Sequence, residues 1–376
     1  MTTARILVTS AAGHTGIPTT LQLLEKGYPV RAFVHRDDQR AEQLRSAGAE
    51  IFVGDQNSLA DMRRAMDGVQ RAYHCAPVAP NCAHFGAVFA IAAREAKLEH
   101  VVMLAQWTSH SDHPSVFTRE IWLTEQILRL LPDTTLTVNN VGWFAENYFF
   151  VLETVAQLGI LAMPLGDGNV KKNAPPSNDD IAAINVSALI DPANHAGKTY
   201  RPTGPELLSP NEIAAVMGKV LGRKVKYMDI PEWMMLKALK VQGFPAMAAT
   251  QLRLYAEEYR RGTFAVHAPN NVVRELTGRE PESFESITRA VVATRPDAAL
   301  TISNRLKALW NFMRVPFALG TNPNVFERRR EHVLLSSPSF VQDSRSWREQ
   351  HDPQAGYIPD RPVDEGCPVS LVQANS

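Results

Sequence analysis

A short turn between an apolar run and a helical stretch carries the residue spacing that points most directly to chemistry. Ser10, Gly13 and Gly16 are spaced as Ser-x-x-Gly-x-x-Gly and follow the run 6–8. At such a turn, exposed backbone N–H groups and the positive end of a helix dipole can meet the pyrophosphate of a dinucleotide. Because serine replaces the first glycine of the usual fingerprint, an ordinary strand-to-helix turn is the alternative. The predicted pyrophosphate-binding residues are Ser10, Gly13, His14, Thr15 and Gly16.

Basic residues follow the second predicted strand, at the distance that a β-α-β unit requires. His35 and Arg36 come directly after this strand, and Arg40 lies one turn further on. A site selective for NAD usually has a carboxylate here, whereas guanidinium groups pair with the 2′-phosphate of NADP. These charges favour NADP over NAD. The alternatives are that Asp37 or Asp38 takes the ribose hydroxyls, or that Arg36 is a solvated loop residue.

The next two predicted strands also end in residues suited to a ligand. Asp55 and Gln56 follow the strand 50–53 and are predicted to bond an adenine amino group, with plain turn chemistry as the alternative. Ala76 and Pro77 close the strand after it, in a small-residue loop of the kind that passes under a cofactor. Since parallel strands end at one edge of an open α/β sheet, these loops predict one shared site.

Composition excludes several classes of protein. The chain has 376 residues, 45% of them hydrophobic, with 39 Lys plus Arg and 39 Asp plus Glu. We therefore expect no nucleic-acid partner. Three cysteines, Cys75, Cys82 and Cys367, lack metal-ligand spacing, so free thiols and no metal site are predicted. The first strand begins too early for a leader peptide, which predicts a cytoplasmic protein without a membrane segment.

Strands and helices alternate over residues 4–141, which predicts a doubly wound parallel sheet. Strands are expected at 99–105 and 134–140, with a helix over 115–131 between them. Residues 158–177 are rich in Gly, Pro and Asn and are expected to form a loop that shapes a pocket, with a disordered linker as the alternative. Ser209, Pro210 and Glu212 match a capping box. The predicted organisation is a nucleotide-binding domain over 1–155 joined by 178–205, a lobe over 156–296 and an extension over 297–376.

Four segments resemble the NmrA-like branch of the atypical short-chain dehydrogenases. They are the loop at Gly13 and Gly16 and the segments 54–59, 200–209 and 276–285. The resemblance covers about residues 4–290 and implies a Rossmann-type α/β fold that binds NADP(H), with a substrate cleft against a smaller C-terminal lobe. That family holds quinone and isoflavone-type reductases, and also redox sensors that bind the dinucleotide without turnover.

The chain departs from the family pattern where a proton donor is expected. Short-chain dehydrogenases generally use a Tyr with a Lys four residues later, but no tyrosine of this chain is followed by lysine at that distance. The lysine of related members falls on Ile121 when Glu125 is aligned. The serine often found at the end of the fifth strand is replaced by Ala105-Gln106-Trp107.

Imidazole and amide groups remain near the expected nicotinamide. His110 and His113 are predicted proton donors because imidazole titrates near neutral pH, with a polar surface loop as the alternative. Tyr148 is a third candidate donor, without lysine support. Gln106 and Asn140 are predicted to contact the cofactor, the latter where the family tends to have Arg-Pro.

Aromatic residues over 143–150 follow the sixth strand, and in the family's layout such residues line the substrate, with core packing as the alternative. A second apolar cluster, 233–236 with 244–247, is expected to act as a lid or to belong to the core. The predicted substrate-pocket residues are Trp107, Trp143, Phe144, Asn147 and Tyr148.

These features predict an NADP(H)-dependent reductase of a small hydrophobic or aromatic carbonyl, quinone or conjugated double bond. The alternatives are a dinucleotide-sensing regulator and a lyase or isomerase on the same scaffold. The extension contains an amphipathic stretch over 300–319, expected to pack on its own domain or on a second subunit in a homodimer. A membrane-surface helix is disfavoured because the stretch has few basic residues.

Overall fold

Parallel strands form the centre of the structure. The computed structural model describes residues 3–79, 81–320 and 322–351. The strands of these residues are β1 (Ile6–Val8), β2 (Val30–Val34), β3 (Glu50–Val53), β4 (Arg71–His74), β5 (His100–Gln106), β6 (Thr135–Val141), β7 (Ile160–Met163), β8 (Thr199–Tyr200) and β9 (Lys226–Asp229). Seven of them form one sheet in the order β3-β2-β1-β4-β5-β6-β8, and β7 pairs with β9 in a small second sheet.

Helices cover both faces of the large sheet and build the C-terminal half. The first eight are α1 (Gly16–Glu25), α2 (Gln39–Ser46), α3 (Leu59–Met66), α4 (Cys82–Ala96), α5 (Val116–Arg129), α6 (Leu152–Leu158), α7 (Asn178–Ile190) and α8 (Pro192–His195). The others are α9 (Pro210–Val220), α10 (Glu232–Val241), α11 (Ala246–Arg261), α12 (Val272–Thr277), α13 (Phe284–Thr294), α14 (Ile302–Arg314), α15 (Pro323–Arg329) and α16 (Arg345–His351).

The large sheet is parallel throughout, which confirms the predicted Rossmann-type doubly wound fold. Ile6 of β1 aligns with Val30 of β2 on one side and with Arg71 of β4 on the other. Both faces of the sheet are covered, so β1 and β2 are buried along their whole length. This explains the apolar sequence of β1 and most of β2, whose one charged residue, Arg31, pairs with Glu50 at 2.9 Å. At the far edge β8 pairs with β6, so the segment 178–205 contributes to the first sheet.

Serine residues fix the starts of several helices. The hydroxyls of Ser58, Ser115 and Ser177 each accept a bond from a backbone N–H three residues later. Ser209 does the same within the predicted capping box, where the side chain of Glu212 bonds back to the Ser209 backbone. Each cap satisfies an N–H that the helix itself leaves unpaired. The starts of α3, α5, α7 and α9 are therefore set locally by sequence.

The prediction of a pocket-shaping loop over 158–177 is wrong for its first part. Residues 160–163 form β7, whose partner β9 lies more than sixty residues later in the chain. A little further on, Asn173 makes an isolated antiparallel bridge to Leu208. Gly, Pro and Asn signalled a break in local structure, but the strand is stabilised by a distant partner that no local pattern reveals.

The described part of the extension packs on its own domain, at the carboxyl ends of β5 and β6. Trp347 of α16 meets Trp107 edge-on, with ring centroids 4.9 Å apart, and its indole N–H donates to the Trp107 carbonyl at 2.7 Å. His351 stacks on Trp347 at 4.5 Å and lies 3.3 Å from the Asn140 amide. This is one of the two predicted arrangements, and pairing with a second subunit stays a prediction.

We expect Trp347→Ala to lower the free energy of unfolding by about 3–5 kcal/mol, because it removes a large buried ring and leaves a cavity against Trp107. Thermal and denaturant unfolding would measure the change. Trp310→Ala is the matched control, since Trp310 is 66% exposed whereas Trp347 is 2% exposed. Equal unfolding midpoints for the two variants would contradict the packing described for the extension.

Candidate active site

The turn after β1 has the geometry of an anion-binding loop, and it holds a serine in a conformation that usually requires glycine. Ser10 has a φ of 48°, in the left-handed region, which costs a residue with a Cβ about 1 kcal/mol. Its carbonyl accepts the Gly13 N–H at 2.8 Å. A Cβ on Gly16 would lie 2.3 Å from that same carbonyl oxygen and 2.8 Å from Ala11 Cα. Only glycine at position 16 therefore lets the helix begin so close to the turn.

The Ser10 side chain joins three strand ends. Its hydroxyl donates to the Cys75 carbonyl at 2.7 Å and accepts from the Gln56 amide at 3.0 Å. Thr9, the neighbouring residue, accepts the Cys75 N–H at 2.9 Å. The serine that breaks the sequence fingerprint thus ties the turn to the loops after β3 and β4. Sequence spacing gave no sign of these bonds, because the partners lie some 46 and 65 residues away.

A polar cleft opens on one side of this turn, at the ends of β1, β2, β3 and β4. Its volume is about 460 Å³. The predicted cofactor residues that line it are Ser10, Gly13, His35, Arg36, Arg40, Asp55, Gln56 and Pro77. The fold thus brings together residues that the sequence assigned to pyrophosphate, 2′-phosphate and adenine.

Some charged side chains at the polar cleft are already paired with another side chain, and one is not. Asp37 pairs with Arg45 at 2.7 Å. Asp38 caps α2 and pairs with Arg40 at 2.6 Å, and this hydrogen bond from Arg40 lowers the pKa of Asp38. Arg36 has no carboxylate partner in the described part of the chain. Both aspartates that competed for a ribose are therefore occupied, which leaves the Arg36 guanidinium for an anionic ligand.

Asp55 has the turn chemistry given as its alternative role, and its predicted contact with adenine stays a prediction. It lines the polar cleft, and its carboxylate also accepts the Asn57 backbone N–H at 2.9 Å, as in an Asx turn. Gln56 is held through its amide nitrogen by Ser10, while its side-chain oxygen is buried without a partner in the described structure. An unpaired buried acceptor at this point fits an amino group of a bound ligand.

An apolar cleft of about 340 Å³ lies on the other side of the turn and shares Ser10 and Gly13 with the polar cleft. Predicted residues that line it are His14, Thr15, Ala76, Gln106, Phe144 and Asn147. Phe150 and Phe244, from the predicted aromatic segment and the predicted lid cluster, also line it. Its wall contains further residues that sequence analysis missed: Phe117, Ala248, Leu252 and Tyr255. Positions 248, 252 and 255 recur at helical spacing on α11, so the periodicity of that helix was the available signal.

Ile121 of α5 also lines the apolar cleft, at the position where related members of the family are expected to carry lysine. One turn later, Glu125 is buried and pairs with Arg129 at 2.8 Å. The cleft wall is apolar here, so no ammonium group is available at this point to support a proton transfer. Cys75 does not replace it, because burial raises the pKa of its thiol to about 11.

Three predicted pocket residues lie in the core and line neither cleft. Trp107 is covered by Trp347, and Trp143 stacks against Tyr255 at 5.7 Å. Tyr148 is fully buried, and its hydroxyl donates to the Tyr259 hydroxyl at 3.2 Å. Burial raises the pKa of the Tyr148 hydroxyl well above its usual value. These three side chains therefore pack in the core, which was the alternative to lining the pocket. The structure does not support Tyr148 as a proton donor.

The two predicted imidazole donors are also buried, which corrects both the catalytic prediction and the surface-loop alternative. The ring nitrogens of His110 lie 2.9 Å from the carbonyls of Thr108 and Ser339. His113 accepts the Ser115 N–H at 2.9 Å and bonds Glu258 at 3.1 Å through its other nitrogen. Every ring nitrogen of the two histidines has a hydrogen-bond partner. These bonds connect α11 and the extension to the loop after β5. Asn140 likewise faces His351 and lines neither cleft.

Two side-chain amides in the apolar cleft have unused N–H groups. Thr118 donates to the Gln106 carbonyl oxygen at 2.8 Å, and the Gln106 amide nitrogen has no partner among the residues described. The Asn147 amide nitrogen is buried without a partner in the same part of the chain. Such donors can stabilise negative charge on an oxygen, but an amide does not give up its proton at neutral pH. The cleft can therefore hold an oxyanion without a side-chain acid.

Comparison with known proteins agrees with this geometry. Residues 2–276 match the profile of the NmrA-like family. The chain belongs to the NmrA-like family. It is 29% identical over 293 residues to an NAD(P)H azoreductase of Xenophilus azovorans, covering 77% of this chain and 98% of that protein.

Solved structures share the fold. An NADPH-dependent quinone oxidoreductase of Escherichia coli in complex with NADPH superposes with a TM-score of 0.66 at 23% identity, covering 76% of this chain and 99% of the other. NmrA, a negative transcriptional regulator in complex with NADP, superposes with a TM-score of 0.64 at 18% identity, covering 77% and 96%. The fold thus serves both an enzyme and a regulator.

Among the residues described, none of the helices combines the length and apolarity needed to cross a bilayer. Within the same ranges, His, Cys, Asp and Glu side chains do not gather in groups of three that would hold a metal ion.

Glu258→Gln should lower the free energy of unfolding by about 1–3 kcal/mol at pH 7, since the carboxylate accepts bonds from His113, Thr263 and the Val341 backbone. Burial alone would raise the pKa of Glu258, but these donors hold it below 4.5. A lowered pKa stabilises the fold above the unfolded value, and this contribution is lost as the pH falls through the folded value.

Denaturant unfolding from pH 7 to pH 3.5 measures this contribution, and the difference between wild type and Glu258→Gln should shrink below about pH 4.5. Glu257→Gln is the matched control, because its side chain is 37% exposed on the same helix. A difference that stays constant with pH would show that the pKa of Glu258 is the same in the folded and unfolded chains, against this prediction.

Proposed function

We propose that this protein is an NADP(H)-dependent reductase of a hydrophobic aromatic substrate, namely a carbonyl, a quinone or a conjugated double bond. The observation that carries the proposal is the junction of two unlike clefts at one turn. The polar cleft has basic residues at its end, the apolar cleft has aromatic walls, and Ser10 and Gly13 belong to both. A dinucleotide laid across this turn would place its reactive ring against the apolar cleft.

The residues present fit NADP(H). Gly16 admits the close approach of helix and turn, and the unpaired oxygen of Gln56 fits an adenine amino group. His35, Arg36 and Arg40 would hold the 2′-phosphate, and the N–H groups at the start of α1 the pyrophosphate. The quinone oxidoreductase is named for NADPH and the azoreductase for NAD(P)H, which includes it. When bound, the nicotinamide supplies a hydride.

The chain's own groups position the substrate and hold charge. Phe144, Phe150 and Tyr255 offer flat apolar surfaces for an aromatic ring and exclude water from the cleft. The free N–H groups of Gln106 and Asn147 would bond the oxygen that becomes negative. Because these amides donate no proton, we propose that the proton comes from water after reduction. This requirement favours quinones, whose reduced oxygen is already stabilised by the ring.

A dinucleotide-sensing regulator is the second candidate. The observation in its favour is that, among the described residues, none of Tyr148, His110 and His113 lines the cleft where a proton donor would act. The NADP complex of a negative transcriptional regulator shows that this fold is also found in a protein of that class. The two candidates agree on cofactor binding and differ only in turnover.

The 2′-phosphate assignment predicts tighter binding of NADPH than of NADH by the wild type. Arg36→Gln should raise the dissociation constant for NADPH about tenfold or more and leave that for NADH nearly unchanged, since one charge-assisted bond to the phosphate is lost. Fluorescence or calorimetric titration measures both constants. Arg63→Gln is the control, because Arg63 pairs with Glu95 and does not line the cleft. Equal affinity for the two dinucleotides would overturn the assignment.

The proposed reaction predicts loss of NADPH absorbance with quinones, and in a wider panel with enones, aromatic aldehydes or azo dyes. Gln106→Leu and Asn147→Leu should each lower kcat/KM about a hundredfold while NADPH still binds, because a donor to the developing oxyanion is removed. The Tyr148→Phe variant should turn over substrate as fast as the wild type, since the Tyr148 hydroxyl faces Tyr259 and not the cleft. Tight NADPH binding without turnover across the panel would establish the regulator instead.

A further inference from the structure

Helix α14 turns its apolar face away from the protein. The helix rests on α6 through a narrow face, where Ala308 is 1% exposed. On the opposite face the side chains are largely uncovered: Ile302 81%, Leu306 62%, Leu309 47%, Trp310 66% and Met313 57% exposed. An amphipathic helix normally buries this face, but among the described residues none covers it here.

The exposed face continues beyond the helix at both ends. Leu300 precedes α14 at 64% exposed, and Phe317 and Leu319 follow it at 85% and 82%. We call these three residues, together with Ile302, Leu306, Leu309, Trp310 and Met313, the apolar ridge. The ridge contacts the lobe that covers the apolar cleft, where Lys237 of α10 donates to the Pro316 carbonyl at 2.6 Å.

The charge around the apolar ridge is entirely positive in the sequence. Residues 299–320 contain three basic residues, Arg305, Lys307 and Arg314, and no Asp or Glu. At helical spacing Arg305 falls on one flank of the ridge, and Lys307 and Arg314 fall on the other. Lys307 also reaches Glu153 of α6, at 3.5 Å. The ridge is thus an apolar strip between two cationic flanks.

A cavity of about 360 Å³ opens where α14 begins, lined by Gln157, Arg223, Leu300, Thr301, Ile302 and Arg305. The Nε of Arg223 is buried without a partner in the described structure. Arg305 has no carboxylate partner within the same residues. Two guanidinium groups beside ridge residues suit a ligand with a phosphate at one end and apolar chains at the other.

We propose that the apolar ridge and the arginine cavity dock this protein on the surface of an anionic phospholipid bilayer. Trp, Phe and Leu side chains would enter the boundary of the acyl chains, and the flanking cations and the cavity would bind lipid phosphates. The count of basic residues alone disfavours this interpretation, but the outward direction of the whole apolar face supports it.

A second copy of the chain fits the same surface less well. In a two-fold pair the same patch meets itself, so Arg305 and Arg314 of both copies would face each other. Residues 299–320 offer no carboxylate to neutralise them. An anionic bilayer supplies the missing negative charge, which is why we commit to it as the occupant.

Co-sedimentation with vesicles tests the proposal without cofactor or substrate, so its outcome is independent of the proposed reductase activity. The full chain should bind vesicles of phosphatidylcholine with about one-third phosphatidylglycerol, bind pure phosphatidylcholine more weakly, and lose the difference in high salt. The double variant Leu306→Ser with Trp310→Ser should reduce the bound fraction about tenfold, and Arg305→Gln about fivefold on the anionic vesicles only.

Leu130→Ser is the control, because Leu130 is 80% exposed at the end of α5, outside the ridge. Thermal unfolding verifies that every variant is folded. Wild-type protein that stays in the supernatant with anionic vesicles overturns the proposal. So does a dimer in light scattering that the double variant converts to monomer, since the ridge would then bind a second copy. Equal binding of Arg305→Gln and wild type would remove the cavity from the proposed site.

Discussion

The site depends on a strained serine. Ser10 adopts a left-handed backbone conformation, and its carbonyl closes the turn by accepting the Gly13 N–H. Two bonds at its hydroxyl fix the turn against the loops after β3 and β4. Because the polar and apolar clefts both begin at this turn, its position determines how the two are aligned. A glycine would relieve the strain, but it would remove the hydroxyl that connects three separate strand ends.

The clefts differ in the kind of chemistry that they can support. Arg36, which has no carboxylate partner among the described residues, gives the polar cleft positive charge for an anion, with Arg40 beside it paired to Asp38. The apolar cleft offers amide donors and aromatic surface, and its thiol is kept neutral by burial. An enzyme of this design must rely on electrostatic stabilisation and orientation instead of on an internal acid. Substrates whose reduced form needs no immediate protonation are the ones that such a cleft suits.

Local sequence was sufficient for the sheet, the helix caps and the polar cleft. Strand periodicity, Ser209 with Glu212, and the positions of Arg36 and Asp55 after their strands are short-range signals, and parallel strands bring such residues to one edge. Local sequence did not predict contacts between residues that are far apart in the chain. The loop at His110 and His113 looked polar and exposed, but α11 and the extension bury it, through partners as remote as Ser339.

The prediction of which residues line the substrate pocket was partly wrong for the same reason. Trp143 and Tyr148 follow β6 as expected, but Tyr255 and Tyr259 of α11 cover them, and Tyr255 itself supplies part of the wall. Composition showed that aromatic residues were concentrated there, and only the packing of a distant helix decides which rings face the cleft. Sequence thus located the region of the site and misassigned individual side chains within it.

The indole contact between Trp107 and Trp347 has a consequence for where this protein can be divided. The match to the azoreductase takes in 98% of that protein and 77% of this chain, and Trp347 lies beyond the family match that ends at residue 276. A boundary drawn by similarity would therefore cut through the hydrophobic core. Shortened to the length that its relatives share, the chain would expose a tryptophan at the carboxyl end of β5, and in water such a surface favours aggregation. The family match therefore ends earlier in the chain than the packed core does.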